Sequence, residues 1–354
     1  MKPWLTVLCL LALLAGCAHA PPPPAKVGER AFVLPDPAAA PRGATALRVL
    51  AWYPADPDAV ERPANAGPVF DAGLVAPDAG WRDGQRHPLV LLSHGFGGAA
   101  RQMGWLGAAL ARQGYIAVAV DHPGTNGVDG INPTGAYAPW ERASDLRVLL
   151  DGVLADPALG PHVDSNRIAV AGFSIGGWTA ALSLGAEASF DRFRAFCHGP
   201  ARDSICNRQV EFDLDYDRQR GELRRAGNEH LLAGERADYE DPRIKAGVLI
   251  APALAQALEP QSLKHISVPV LLVAGTADTV VPTPTNAAWL QPHIAGSTLH
   301  ELPGVGHYDF LLPCTPKGRE IQPALCQENG PPRVETHERT ERWVLDFLAR
   351  ALKL

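Results

Sequence analysis

Apolar residues in this chain gather into short, near-continuous runs bounded by turn residues. The clearest are His87–Ser93, Tyr115–Asp121, Arg167–Phe173, Ile244–Ala251, Val268–Ala274 and Thr298–Leu302. A strand covered on both faces has no polar side, so it reads as an unbroken apolar run rather than an alternating one. Between these runs the pattern predicts helices over 99–113, 140–155, 176–186 and 284–293. A last helix is expected over 338–351, where Val344, Phe347, Leu348 and Ala351 recur at i, i+3, i+4 and i+7. Strands alternating with helices predict an α/β fold with a mostly parallel, doubly wound sheet. Two earlier strands are expected near 29–34 and 45–53, and residues 54–86, rich in Pro, Gly, Ala and Asp, read as irregular.

Residues 187–242 break this rhythm. They are charged, hold two cysteines and follow the strand ending at Phe173. An insertion there would lie over the carboxyl ends of the strands, so a cap is expected, the alternative being a solvated surface excursion. The amino terminus has its own pattern. Lys2 is followed by an apolar run from Trp4 to Ala15, long enough for a signal-peptide core and too short to span a bilayer. Residues 18–28, with Pro21 to Pro24 in a row, read as a stiff polyproline tether to a folded body at 29–354.

Composition changes this picture in two places. A net charge of −6 leaves no basic footprint, which argues against nucleic acid as a partner. Of the six cysteines, Cys9 falls in the apolar leader and Cys17 at its end, leaving Cys197, Cys206, Cys314 and Cys326. In an exported body these suggest two disulfides with three possible connectivities, Cys197–Cys206 and Cys314–Cys326 being the nearest-neighbour choice. Their spacings match no common zinc pattern.

The candidate chemistry begins at Gly172-Phe173-Ser174-Ile175-Gly176, a G-x-S-x-G sequence between an expected strand and an expected helix. That setting forces a sharp turn and leaves the Ser174 hydroxyl exposed as a nucleophile. A nucleophilic Ser needs a base, and the base an orienting acid, in the order Ser, acid, His along the chain. Asp278 stands just after the strand 268–274, where its other reading is a turn-forming Asp; Asp309 and Asp241 are alternatives that follow no strand directly. His307 stands after the strand 298–302 on a glycine-rich approach, Gly304-Val305-Gly306. Ser93-His94-Gly95-Phe96-Gly97-Gly98 follows another strand. Its Phe96 N–H and the Ile175 N–H are the expected oxyanion donors, with His94 bracing the loop. Asp121-His122-Pro123-Gly124 is expected to wall the same cleft.

Over residues 85–312 these segments resemble the α/β-hydrolase superfamily. Ser-His-Gly-Phe-Gly-Gly, Asp-His-Pro-Gly and Gly-Phe-Ser-Ile-Gly-Gly look like the branch of platelet-activating-factor acetylhydrolases and predicted dienelactone hydrolases, although the latter use Cys where this chain has Ser174. The resemblance implies hydrolysis of short-chain or lipid-like carboxylic esters through an acyl-enzyme, with no metal or organic cofactor. Peptidase or thioesterase chemistry on the same triad, and a non-catalytic surface-binding lipoprotein, are the rival readings. Leu14-Ala15-Gly16-Cys17 resembles the lipobox of bacterial lipoproteins, which implies acylation of Cys17 and a membrane anchor. Ala18 in place of Asp favours the outer membrane. An ordinary secretory signal cut near Ala18 or Ala20 is the alternative.

Overall fold

The computed structural model describes residues 25–208, 214–328 and 330–353. Its centre is a sheet of eight long strands: β1 (Lys26–Pro35), β2 (Ala46–Ala55), β3 (His87–Ser93), β4 (Ile116–Val120), β5 (Val163–Phe173), β6 (Ile244–Ile250), β7 (Val270–Gly275) and β8 (Ser297–Leu302). Their order across the sheet is β8-β7-β6-β5-β3-β4-β2-β1, and two short strands, Leu74–Pro77 and Arg62–Pro63, extend it past β1. Every pairing from β4 to β8 is parallel. Among the eight long strands β2 runs antiparallel to both of its neighbours. The carboxyl ends of β3, β5, β7 and β8 therefore open on one edge of the sheet.

Side chains alternate across the pleat into two separate cores. Leu89, Leu91, Ile168 and Val170 face one layer, packed by α2 (Glu141–Ala155) and α3 (Ile175–Ser183). Val90, Leu92, Ala169 and Ala171 face the other, packed by α1 (Gly104–Arg112) and the long terminal helix Arg333–Ala351. Burial on both faces is why β3, β4 and β7 read as unbroken apolar runs, while the edge strand β8 stays partly exposed.

Several expectations shift. The first strand starts at Lys26, so the last three residues expected in the tether belong to the sheet, paired with Ala55, Pro54 and Tyr53. The leader, Cys17 and residues 18–24 lie outside the described residues. Residues 54–86 contain two short strands, because Leu74–Pro77 satisfies the open edge of β1. The expected helix 284–293 is broken into a 3-10 turn (Thr283–Thr285), one α-turn (Ala287–Leu290) and a second 3-10 turn (Gln291–His293). Pro292 removes an N–H that a continuous helix needs, and Asn286, at φ −116° and ψ −92°, leaves the helical path. The last helix starts five residues early, just after Pro332, a residue that suits a helix entry. Within 187–242 the chain forms α4 (Phe190–His198) and α5 (Gln219–Arg225) with 3-10 turns between and after them.

Candidate active site

Ser174 sits where β5 turns into α3, at φ 58° and ψ −124°. A non-glycine residue is held there only when its surroundings over-determine it. Its N–H donates to the Ile250 carbonyl at 2.9 Å, and its carbonyl accepts from Gly177 at 2.9 Å and Ala253 at 3.1 Å. The flanking glycines are there for space. A Cβ on Gly172 would lie 2.0 Å from the Gly176 carbonyl oxygen, and one on Gly176 would lie 2.0 Å from that of Ser93.

Asp278 and His307 come from the loops after β7 and β8, and backbone bonds sew the two loops together. Thr276 and Ala277 donate to Leu302 and Val305, each at 3.0 Å. Gly304 donates to the Thr276 hydroxyl at 3.0 Å. The result is a continuous hydrogen-bonded chain. His307 Nδ1–H donates to Asp278 Oδ2 at 2.7 Å, and His307 Nε2 lies 3.0 Å from Ser174 Oγ. The second Asp278 oxygen accepts the Val280 and Val281 N–H groups at 3.0 and 2.7 Å. Asp278 and His307 are 6% exposed and Ser174 7%, so the chain is shielded but reachable. Such an arrangement can take the proton of the Ser174 hydroxyl onto His307 as the oxygen attacks an electrophile.

Above Ser174 lies a cavity of about 420 Å³. Gly95, Phe96 and Ile175 are among its lining, and residues between Phe193 and Asn207 and between Leu214 and Arg218 supply much of its wall, including the disulfide Cys197–Cys206. The second bridge is Cys314–Cys326. Most of the wall is apolar or aromatic, with Arg194, Arg202, Arg218, His198, Asp215 and Asp217 among its polar residues.

The alternatives for the acid stand elsewhere. Asp309 accepts the Gly306 N–H at 2.8 Å and so caps the turn that carries His307. Asp241 pairs with Arg243, just ahead of β6 and at the opposite edge of the sheet. The Asp121–Gly124 stretch does not line the cavity, against expectation. Asp121 accepts the Ala100 N–H at 2.7 Å, and His122 is fully buried between Ser93 Oγ and Asp145, 2.9 Å from each. Arg42 clamps Asp145 with both nitrogens at 2.7 and 2.8 Å. Arg142 reaches Thr125, Thr179, Ser93 and the His94 carbonyl. Sequence reading missed this buried network. Its signal was present in α2, where Arg142 and Asp145 share the stripe of Leu146, Leu149 and Val153 that faces the core.

Fold and site define an α/β protein with a Ser–His–Asp chain at the carboxyl edge of a parallel sheet. The chain belongs to the alpha/beta hydrolase family, whose profile matches residues 89–315. It is 32% identical over 98 residues to a cutinase of Thermobifida alba, covering 27% of this chain and 29% of that protein. Cutinases of Thermobifida cellulosilytica and Thermobifida fusca match over 98 residues at the same identity, with 34% and 28% of their length covered. The matched stretch thus spans about a third or less of these curated relatives. A ferulic acid esterase from Streptomyces cinnamoneus shares the fold, with TM-score 0.59 and 21% identity over 95% of this chain and 92% of that one.

Proposed function

We propose that this chain is a serine carboxylic-ester hydrolase acting on short-chain or lipid-like esters. The observation that carries the reading is the Ser174–His307–Asp278 chain beneath an open cavity whose wall is more apolar than polar. The names of its relatives, cutinases and a ferulic acid esterase, support ester hydrolysis. In this mechanism His307 Nε2 takes the Ser174 proton as Oγ attacks the ester carbonyl, and Asp278 holds the imidazole and stabilises its cation. The oxyanion rests on the Phe96 and Ile175 N–H groups. Ile175 opens α3, where intrahelical geometry gives its N–H no acceptor. His307 then protonates the leaving alcohol. Water, activated by the same imidazole, attacks the acyl-enzyme and releases the acid.

The short-chain, lipid-like preference follows the sequence resemblance to the acetylhydrolase branch and suits an apolar cavity of this size. Export as a lipoprotein acylated at Cys17 is part of the same reading, and the two disulfides support an oxidising compartment. The body's first strand begins beside Ala55, at the amino ends of the parallel strands and opposite Ser174. A tether leaving there would turn the cavity away from the anchoring membrane.

Protein lacking residues 1–17 is expected to hydrolyse p-nitrophenyl acetate and butyrate and to react with a fluorophosphonate probe, and Ser174→Ala to lose both. A folded, unmutated protein that neither hydrolyses nor labels would overturn the reading in favour of a binding lipoprotein. For the anchor, Cys17→Ser in the full chain should leave the membrane fraction. Unchanged partitioning would refute acylation.

A further inference from the structure

The loop between β3 and α1 holds the Phe96 amide from behind. Peptide planarity makes the Gly95 carbonyl and the Phe96 N–H point in opposite directions across one rigid unit. Whatever grips the Gly95 oxygen therefore aims the Phe96 N–H. Two donors grip it, the His94 ring at Nδ1, 2.6 Å away, and the Gly98 N–H at 3.1 Å. The ring is caught at its other nitrogen too, since His94 Nε2 accepts the His122 N–H at 3.1 Å.

A backbone N–H only donates and a carbonyl only accepts, so one form of the ring satisfies both neighbours: neutral, with the proton on Nδ1. Burial, and after it the neighbouring Arg142 guanidinium, hold His94 well below the usual histidine range and keep it in that form. Space is equally tight. A Cβ on Gly98 would lie 2.9 Å from the Gly95 oxygen and 3.1 Å from His94 Nδ1. Arg142 links this loop to the other donor segment. It donates to the His94 carbonyl, and at 3.1 Å to Thr179 Oγ1, whose hydroxyl donates to the Ile175 carbonyl at 2.9 Å.

We propose that His94 is a positioning residue for the reaction: its Nδ1–H orients the Gly95–Phe96 peptide so that the Phe96 amide faces the oxyanion formed at Ser174. The proposal rests on the ester-hydrolase reading. His94 is fully buried and does not line the cavity, so it acts through this peptide and not on substrate. Holding an amide in place is a transition-state contribution, which shows in kcat more than in KM.

The test uses His94→Leu, which loses both ring bonds, and His94→Asn, whose amide nitrogen falls near the position of Nδ1 and restores a donor to Gly95. Each protein is titrated to completion with the fluorophosphonate so that rates are per active site. Kinetics on p-nitrophenyl butyrate are read beside binding of a trifluoromethyl ketone, which forms a tetrahedral oxyanion adduct, and of the matching non-reactive alcohol. His94→Leu is expected to lower kcat by about 10- to 100-fold, less than or equal to loss of a whole oxyanion donor. KM should stay within about threefold. Ketone affinity should fall by the same factor as kcat, alcohol affinity should hold, and His94→Asn should recover most of the rate.

Wild-type kcat in His94→Leu would overturn the proposal. So would equal losses of ketone and alcohol affinity with no recovery in His94→Asn, the mark of a merely structural role. Should His94→Leu not fold, His94→Asn is compared with His94→Gln, whose amide reaches the Nε2 position and leaves Gly95 without its donor. Asn is expected to be faster by about tenfold or more, and equal rates overturn the idea. An unmutated protein that neither hydrolyses nor labels would instead overturn the ester-hydrolase reading, and the proposal with it.

Discussion

Asp278→Asn is the sharpest probe of the site, because the structure dictates which way the new amide must face. One carboxylate oxygen accepts two backbone N–H groups, from Val280 and Val281, and the other accepts His307 Nδ1–H at 2.7 Å. An NH₂ group cannot sit against two N–H donors, so the amide oxygen must take that side. The NH₂ then points at His307 Nδ1. The imidazole answers by moving its proton to Nε2, where it faces Ser174 Oγ as a donor and has no lone pair left for the hydroxyl proton. Geometry and stability are kept while the base is disabled. The loss of kcat expected for a wrong-tautomer triad is about 10⁴-fold, equivalent to about 5 kcal/mol of barrier, with KM little changed. Asp309→Asn is the control, since its amide oxygen still accepts the Gly306 N–H; kcat is expected to stay within about tenfold of the parent. The assay is steady-state hydrolysis of p-nitrophenyl butyrate on protein whose folding is checked by urea unfolding. Asp278→Asn within tenfold of the parent, or a larger loss in Asp309→Asn, would refute this assignment of the acid.

Two further outcomes follow from packing. His337 stacks on Trp105 with ring centroids 4.2 Å apart and is buried, and burial is the main cause holding its pKa down to about 3. The unfolded chain binds that proton near 6.5, so the folded state loses stability as pH falls from about 6.5 towards about 3. In His337→Phe this penalty is absent: its unfolding free energy relative to the parent should rise by about 2 kcal/mol between pH 7 and 5, and a pH-independent difference would refute the burial argument. The Cys197–Cys206 bridge closes a short loop in the cavity wall, so replacing both cysteines by Ser should cost about 2–3 kcal/mol in urea unfolding and raise KM for the butyrate ester. An unchanged midpoint and KM would show that the bridge constrains neither.

How much of this was legible in advance depends on the range of the interaction involved. Strands β3 to β7 could be read because burial on both faces writes a local, mostly continuous apolar pattern, whereas the edge strand β8 buries only Leu302 fully. The helix over 284–293 could not, because Pro292 removes a helical N–H and Asn286 leaves the helical path. Ser174 announces itself because the turn it occupies needs glycines at fixed offsets, a local steric demand. Asp278 and His307 were reachable through chain order and their places after strands, although 29 residues of sequence separate them.

Long-range contacts leave no such trace. That His122 would face Asp145 and Ser93 instead of the cleft was decided by where α2 packs, as was the place of Arg142 between the loop of Phe96 and the helix of Ile175. By itself the sequence determined the order of layers, the nucleophile turn and the residue types from which a triad is built, since each is set by neighbours along the chain. Only the tertiary structure decided the cavity wall, the burial of His122 against Asp145, and which groups hold each nitrogen of the His94 ring. Those depend on which surfaces meet once the sheet is covered, and that is a property of packing rather than of spacing.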